Sequence, residues 1–266
     1  MRVRPSLLAL SVGLSLACAE GVPTKPTSSL SPQSPSRITS GEPDAGRHPY
    51  VVLLVFVDAT GAQWLCSGAL LSSTVVLTAG HCTEGAIAAF ANPVEVYQAG
   101  TTFYPGVAHT YDDPGAFSDL GLVVLTQPIP TSIVDEYAEL PTVGLVDQLR
   151  SGSPVDITGY GVNYKVRGGG PPVWDWTDGT IRRMYAPTTF VSGKFAGSEW
   201  VIRLTANPGK AKGGLCFGDS GGPDLIGGTD VVIAVNSFAA NTNCGGVTYS
   251  YRIDSAGALA WIQSFL

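Results

Sequence analysis

The chain has 266 residues, 44% of them hydrophobic and 14% charged. That balance suits one or two compact folded units with large cores and excludes disorder throughout. The formal net charge of −6 is carried without any block of like charges, so the basic cluster that a nucleic-acid surface requires is missing.

The N-terminus reads as an export signal over residues 1–19. Met1-Arg2-Val3-Arg4 is basic, the apolar run from Leu7 to Ala17 is too short to span a bilayer, and small residues follow. Ala17-Cys18-Ala19 offers an A-x-A cleavage site before Glu20. Leu16-Ala17-Cys18 offers instead a loose bacterial lipoprotein box, with Ser15 where that box usually carries leucine. Cys18 is therefore either removed or the carrier of a lipid anchor, and the protein is expected to be secreted or extracytoplasmic. Residues 20–37 are rich in Pro, Ser and Thr without apolar periodicity, which marks a propeptide or tether that cannot bury a core.

Folded sequence begins near Ile38 and extends to residue 266. Short β-type runs recur at Tyr50–Val57, Ala69–Leu77, Val94–Ala99, Leu120–Leu125, Val155–Tyr160, Trp200–Leu204 and Val231–Val235. Punctuated by 33 glycines and 19 prolines, they predict an all-β fold, and periodicity alone leaves sandwich and barrel both open. The stretch 163–178 reads as a loop by its breakers, Gly168-Gly169-Gly170-Pro171-Pro172. A helix closes the chain, with Ala256, Leu259, Ala260, Ile262 and Phe265 near 3.6 spacing after Ser255 as N-cap.

Two motifs carry chemistry: Thr78-Ala79-Gly80-His81-Cys82 and Gly218-Asp219-Ser220-Gly221-Gly222-Pro223. A serine hydroxyl needs an imidazole to take its proton and backbone N–H donors to hold the oxyanion that forms. With 3 histidines in the chain, the choice of base is narrow. His81 ends a β-branched run, His48 lies beside Pro49 as a surface or structural residue, and His109 sits in a predicted loop. Asp119 precedes the apolar strand Leu120–Leu125, which would draw it inward as a buried, acceptor-only partner for the imidazole. Asp112 and Asp113 look like turn residues.

Both motifs resemble those of the chymotrypsin/trypsin-like serine proteases, and the resemblance runs from about Arg37 to the C-terminus in that family's order of His, Asp, Ser. It implies two packed six-stranded antiparallel β-barrels, about 38–140 and 150–255, with the site in the cleft between them. It implies a triad of His81, Asp119 and Ser220, an oxyanion hole from the N–H groups of Gly218 and Ser220, and disulfides Cys66–Cys82 and Cys216–Cys244. Ser237 matches a family serine that hydrogen-bonds the buried aspartate. Arg37-Ile38-Thr39-Ser40-Gly41 resembles an activation junction, with Thr39-Ser40 where Val-Gly is more usual. Cleavage after Arg37 by an activating protease would free the Ile38 amine to pair with Asp219.

Specificity is expected to be non-tryptic. Gly214 stands where trypsins carry an aspartate, and a cationic side chain without a buried carboxylate would be desolvated unpaired. Leu215, Phe217, Phe238 and Ala239 make the substrate pocket apolar, Ala239 narrowing it where the family has glycine. Gly245-Gly246-Val247-Thr248-Tyr249 can be aligned two ways, placing Gly246 or Thr248 on the opposite wall. Polypeptide substrates, no metal, no other cofactor and a monomer are expected. The competing readings are a catalytically silent binding module on the same fold and an α/β-hydrolase esterase. Gly218–Gly222 fits the esterase motif's spacing, but the all-β context and the residue order do not.

Overall fold

The computed structural model describes residues 38, 41–113, 116–161, 164–165, 173–174, 181–193, 199–207, 212–241 and 244–266. The export signal, the tether, Cys18 and Arg37 lie outside them. The first barrel is closed by β2 (Val51–Asp58), β3 (Gln63–Leu70), β4 (Val75–Thr78), β7 (Gly121–Leu125), β6 (Tyr104–Thr110) and β5 (Ala86–Asn92), in that order. Strand β2 is apolar almost throughout because both its faces are covered: Leu53, Leu54 and Phe56 belong to the main core and Val55 to a second cluster with Phe90 and Phe103.

The second barrel runs β8 (Pro154–Gly159), β11 (Met184–Ser192), β12 (Val201–Ala206), β15 (Gly246–Arg252), β14 (Val232–Ala239) and β13 (Pro223–Ile226), and β11 pairs back onto β8 to close it. Its core holds Ile157, Met184, Ile202, Leu204 and the wholly buried Ile38. A two-residue strand, β1 (Glu42–Pro43), adds to the edge of β11. Helix α2 (Ala256–Gln263) starts at Ser255, whose Oγ accepts from Ala258 N–H at 3.1 Å. It packs back on the first barrel, with Phe265 4.9 Å from the His109 ring and Trp261 5.2 Å from Tyr111. The chain end thereby staples one barrel to the other.

A buried ionic cluster makes a second staple. Arg183 Nε donates to Asp44 Oδ2 at 2.8 Å and Arg183 Nη1 to the Val51 carbonyl at 2.9 Å, while His48 N–H donates to Asp44 at 3.0 Å and its ring meets the other carboxylate oxygen. Burial works against ionising Asp44, but the His48 hydrogen bond and the Arg183 guanidinium prevail and hold its pKa at about 2. His48 is thus a structural residue.

Several expected elements differ. The run 69–77 is split by a turn between β3 and β4, and Val94–Ala99 is no strand: Pro93 ends β5, and only an isolated bridge from Val96 to Arg182 follows. His109 lies in β6, not in a loop. Within 163–178 the structure places a pair of two-residue antiparallel strands, β9 (Tyr164–Lys165) and β10 (Val173–Trp174); the rest of that stretch lies outside the described residues. No helix among the described residues is long and apolar enough to cross a membrane.

Candidate active site

Pairing of β4 with β7 brings His81 and Asp119 together. Thr78 lies opposite Gly121, so the short helix α1 (Gly80–Thr83) that leaves β4 meets the residues that enter β7. Gly80 is required there, because a Cβ would come within 2.9 Å of the Leu120 backbone nitrogen. His81 Nδ1 lies 2.9 and 3.0 Å from the two Asp119 oxygens, and the His81 backbone N–H donates to Oδ1 at 2.8 Å. Ser237 Oγ donates to Asp119 Oδ2 in a short bond. Burial alone would raise the Asp119 carboxyl, yet the His81 hydrogen bond and charge, together with Ser237, hold it below the usual carboxylate range. The His81 side chain is 44% exposed and Asp119 only 7%, so an ionised carboxylate backs an imidazole that faces the cleft.

Ser220 sits in the turn between Cys216 and β13. It lines a cavity of about 420 Å³ together with His81, Leu215, Phe217, Ser237 and Ala239. Phe238 also lines it; the expected pocket residue Gly214, which precedes Leu215 in the chain, is not among the lining residues. The imidazole and the Ser220 hydroxyl share this cavity without a direct hydrogen bond between them, a looseness common where no substrate is bound. The backbone N–H groups of Asp219, Gly221 and Gly222 are engaged with Cys216, Asn236 and Asp219 carbonyls. Those of Gly218 and Ser220 find no acceptor among the described residues. Gly218 adopts a φ of 89°, a left-handed conformation that favours glycine.

The Ser220 turn is held from the other barrel, by a residue that sequence reasoning missed. Ser67 on β3 donates its N–H to the Ser220 carbonyl at 2.8 Å and its hydroxyl to the Gly218 carbonyl at 2.9 Å, while accepting from Tyr160 N–H at 2.9 Å. Its only sequence signal is a position next to Cys66. Gly221 completes the fit, since a Cβ there would collide with Thr78 Oγ1 at 2.0 Å.

Both expected disulfides are present, with Cα atoms 6.4 Å apart for Cys66–Cys82 and 5.3 Å for Cys216–Cys244. They tie down the segments that carry His81 and Ser220. Cys66, His81 and Cys82 bring their donor atoms within 4.8 Å of one another, but both sulfurs are committed to the disulfide. Asp219 is wholly buried and accepts from Gly161 N–H at 2.6 Å and Cys216 N–H at 2.9 Å; no hydrogen bond joins it to Ile38. Burial pushes its carboxyl well above the ordinary range, against the pull of those two donors.

Comparison with known proteins agrees with this fold. The Trypsin family model matches residues 38–262. Serine protease 1 of Drosophila melanogaster is 27% identical over 85% of this chain and 84% of its own length. Among solved structures, HL collagenase superposes with a TM-score of 0.66 at 19% identity, covering 87% of this chain and 96% of that one. A scabies mite inactivated protease paralogue superposes with a TM-score of 0.63 at 20% identity, over 84% and 97%.

Proposed function

The chain belongs to the trypsin family of serine proteases, and on that premise we propose that it is a secreted endopeptidase working through His81, Asp119 and Ser220. The observation that carries the reading is the buried Asp119 carboxylate on His81 Nδ1, in the same cavity as Ser220. Neutral His81 takes the Ser220 proton at Nε2 as Oγ attacks the scissile carbonyl carbon. The resulting oxyanion is received by the N–H groups of Gly218 and Ser220, which have no acceptor among the described residues. Asp119 stays ionised and stabilises the imidazolium until the proton passes to the leaving amine. Water then repeats the sequence on the acyl-enzyme. Losing one oxyanion donor typically costs ~10²–10³ in turnover.

A serine-directed fluorophosphonate should label Ser220 in the wild type and not in Ser220→Ala. Absence of labelling in a protein that has been cut after Arg37 would favour the catalytically silent alternative.

Residues 1–19 are taken as the export signal and 20–37 as a propeptide whose removal after Arg37 frees the Ile38 amine. Burial of Ile38 and of an Asp219 carboxylate that has two backbone donors among the described residues supports that partnership, since an added ammonium would supply the counter-charge. Arg37→Gln should leave an intact, inactive precursor on a gel, and wild-type activity in that variant would refute the junction. If Cys18 is lipidated, cleavage after Arg37 also releases the enzyme from its anchor. Leu215, Phe217, Phe238 and Ala239 on the cavity wall support apolar contact along the substrate side chain.

A further inference from the structure

The two proposed oxyanion donors belong to residues whose carbonyls are both held by one residue of the first barrel. Ser67 N–H donates to the Ser220 carbonyl at 2.8 Å, and Ser67 Oγ donates to the Gly218 carbonyl at 2.9 Å. The hydroxyl oxygen in turn accepts from Tyr160 N–H at 2.9 Å. Its single proton is thus committed to Gly218 and a lone pair to Tyr160. Ser67 is wholly buried, which leaves the hydroxyl no solvent partner to exchange for these two.

Gly218 needs such a restraint. It stands at a φ of 89°, and glycine permits that conformation without enforcing it, because no Cβ narrows its backbone. The peptide between Gly218 and Asp219 is tied at both ends: its N–H donates to the Cys216 carbonyl at 3.1 Å, and its oxygen accepts from Ser67 Oγ. The first tie is local and moves with the turn. The second refers the turn to the first barrel, where His81 stands. The same short stretch of β3 also bears on the base. Cys66 is bonded to Cys82, the residue after His81, and the Ser67 carbonyl accepts at 2.8 Å from Thr78 Oγ1, at the end of the strand that leads into His81.

We infer that the Ser67 hydroxyl is a positioning group for the oxyanion hole: by holding the Gly218 carbonyl it sets the Gly218 N–H at a fixed distance from His81 across the two barrels. This inference rests on the endopeptidase reading and adds a residue to it. Ser67 is not among the residues that line the cavity of His81 and Ser220, so it acts through Gly218. A hydrogen bond to the oxyanion strengthens as charge develops, and a displaced donor therefore costs the transition state more than the bound substrate. The mark of Ser67 is kcat and not KM.

Ser67→Ala removes the hydroxyl and keeps the backbone bond to Ser220 and the neighbouring disulfide. In protein cut after Arg37, on a fluorogenic peptide, kcat should fall by ~10- to 100-fold, short of the ~10²–10³ of a donor lost outright. KM should stay within about twofold, and the acid limb of the pH–rate profile, which reports the base, should not move. A peptide aldehyde, to which Ser220 Oγ adds so that its oxygen takes the oxyanion position, should bind more weakly by the same factor. The matching peptide alcohol, which forms no adduct, should bind as before. Ser67→Thr, which retains a hydroxyl, should keep kcat within a few-fold of the wild type. Amide exchange at Asp219, followed by NMR in Ser220→Ala so that turnover plays no part, should quicken about tenfold or more when Ser67→Ala is added, while β2 keeps its protection. An active wild type whose Ser67→Ala variant keeps its kcat, or whose Ser67→Thr variant falls as far as Ser67→Ala, overturns the inference and leaves the endopeptidase reading standing. Unchanged exchange at Asp219 overturns it whether or not the enzyme cleaves. A wild type cut after Arg37 that the fluorophosphonate does not label fails the endopeptidase reading, and with it the inference, even where exchange at Asp219 responds.

Discussion

Replacing Asp44 by Asn tests the ionic staple between the barrels. Asp44 is wholly buried, Arg183 is 3% exposed, and the guanidinium loses its carboxylate while keeping contacts such as the Val51 carbonyl. Removing one partner of such a pair costs about 3–5 kcal/mol, because the other charge remains buried and uncompensated. The loss should appear in urea unfolding at pH 7 as a lower midpoint with an unchanged slope. Asp44→Leu/Arg183→Met, which removes both charges, should be more stable than Asp44→Asn alone. The pH dependence follows from the same group. The folded pKa of about 2 lies below the unfolded value of 3.8, so the contribution is complete above about pH 4 and is lost as pH falls through 2. That shift corresponds to roughly 2 kcal/mol, absent from the variant. A loss below about 1 kcal/mol in Asp44→Asn, or a double variant less stable than the single one, would refute the reasoning.

Asp119→Asn should lower kcat by about 10⁴ by releasing the His81 tautomer, with thermal unfolding little changed; activity within tenfold of wild type would remove Asp119 from the triad. Asp224 has the opposite pH signature to Asp44. Burial raises its folded pKa to about 8, above the unfolded value of 3.8, so the folded chain holds an extra proton between those values and stability falls as pH rises through that window. Asp224→Leu should therefore gain on the wild type from pH 4 to 8, by roughly 5 kcal/mol at most, and level off above. A constant difference across that range in denaturant titrations would show that Asp224 is not buried as a lone carboxyl.

Legibility in the sequence followed local chemistry. The runs around β2, β4, β7, β8, β12 and β14 are rich in β-branched and aliphatic residues and declare themselves. Strand β5 is Ala-Ile-Ala-Ala-Phe-Ala-Asn, and β6 and β11 carry Pro105 and Pro187. Their propensity argues against a strand, and only pairing on both sides within a closed barrel makes them strands. The two disulfides were readable, and His81, Asp119 and Ser220 stood out as candidates, because each sits in a short segment that matches a family motif.

What the sequence determined by itself was the all-β class, the family resemblance with His81, Asp119 and Ser220 as candidates in that family's order, and the pairing of four cysteines into two disulfides. Tertiary structure alone decided that Ser67, on one barrel, bonds the Ser220 turn of the other, and that Asp224, Asn236, Thr248 and Ser250 are wholly buried in the second barrel. The physical reason is that these placements depend on cross-strand register, which is not a property of any contiguous stretch of chain.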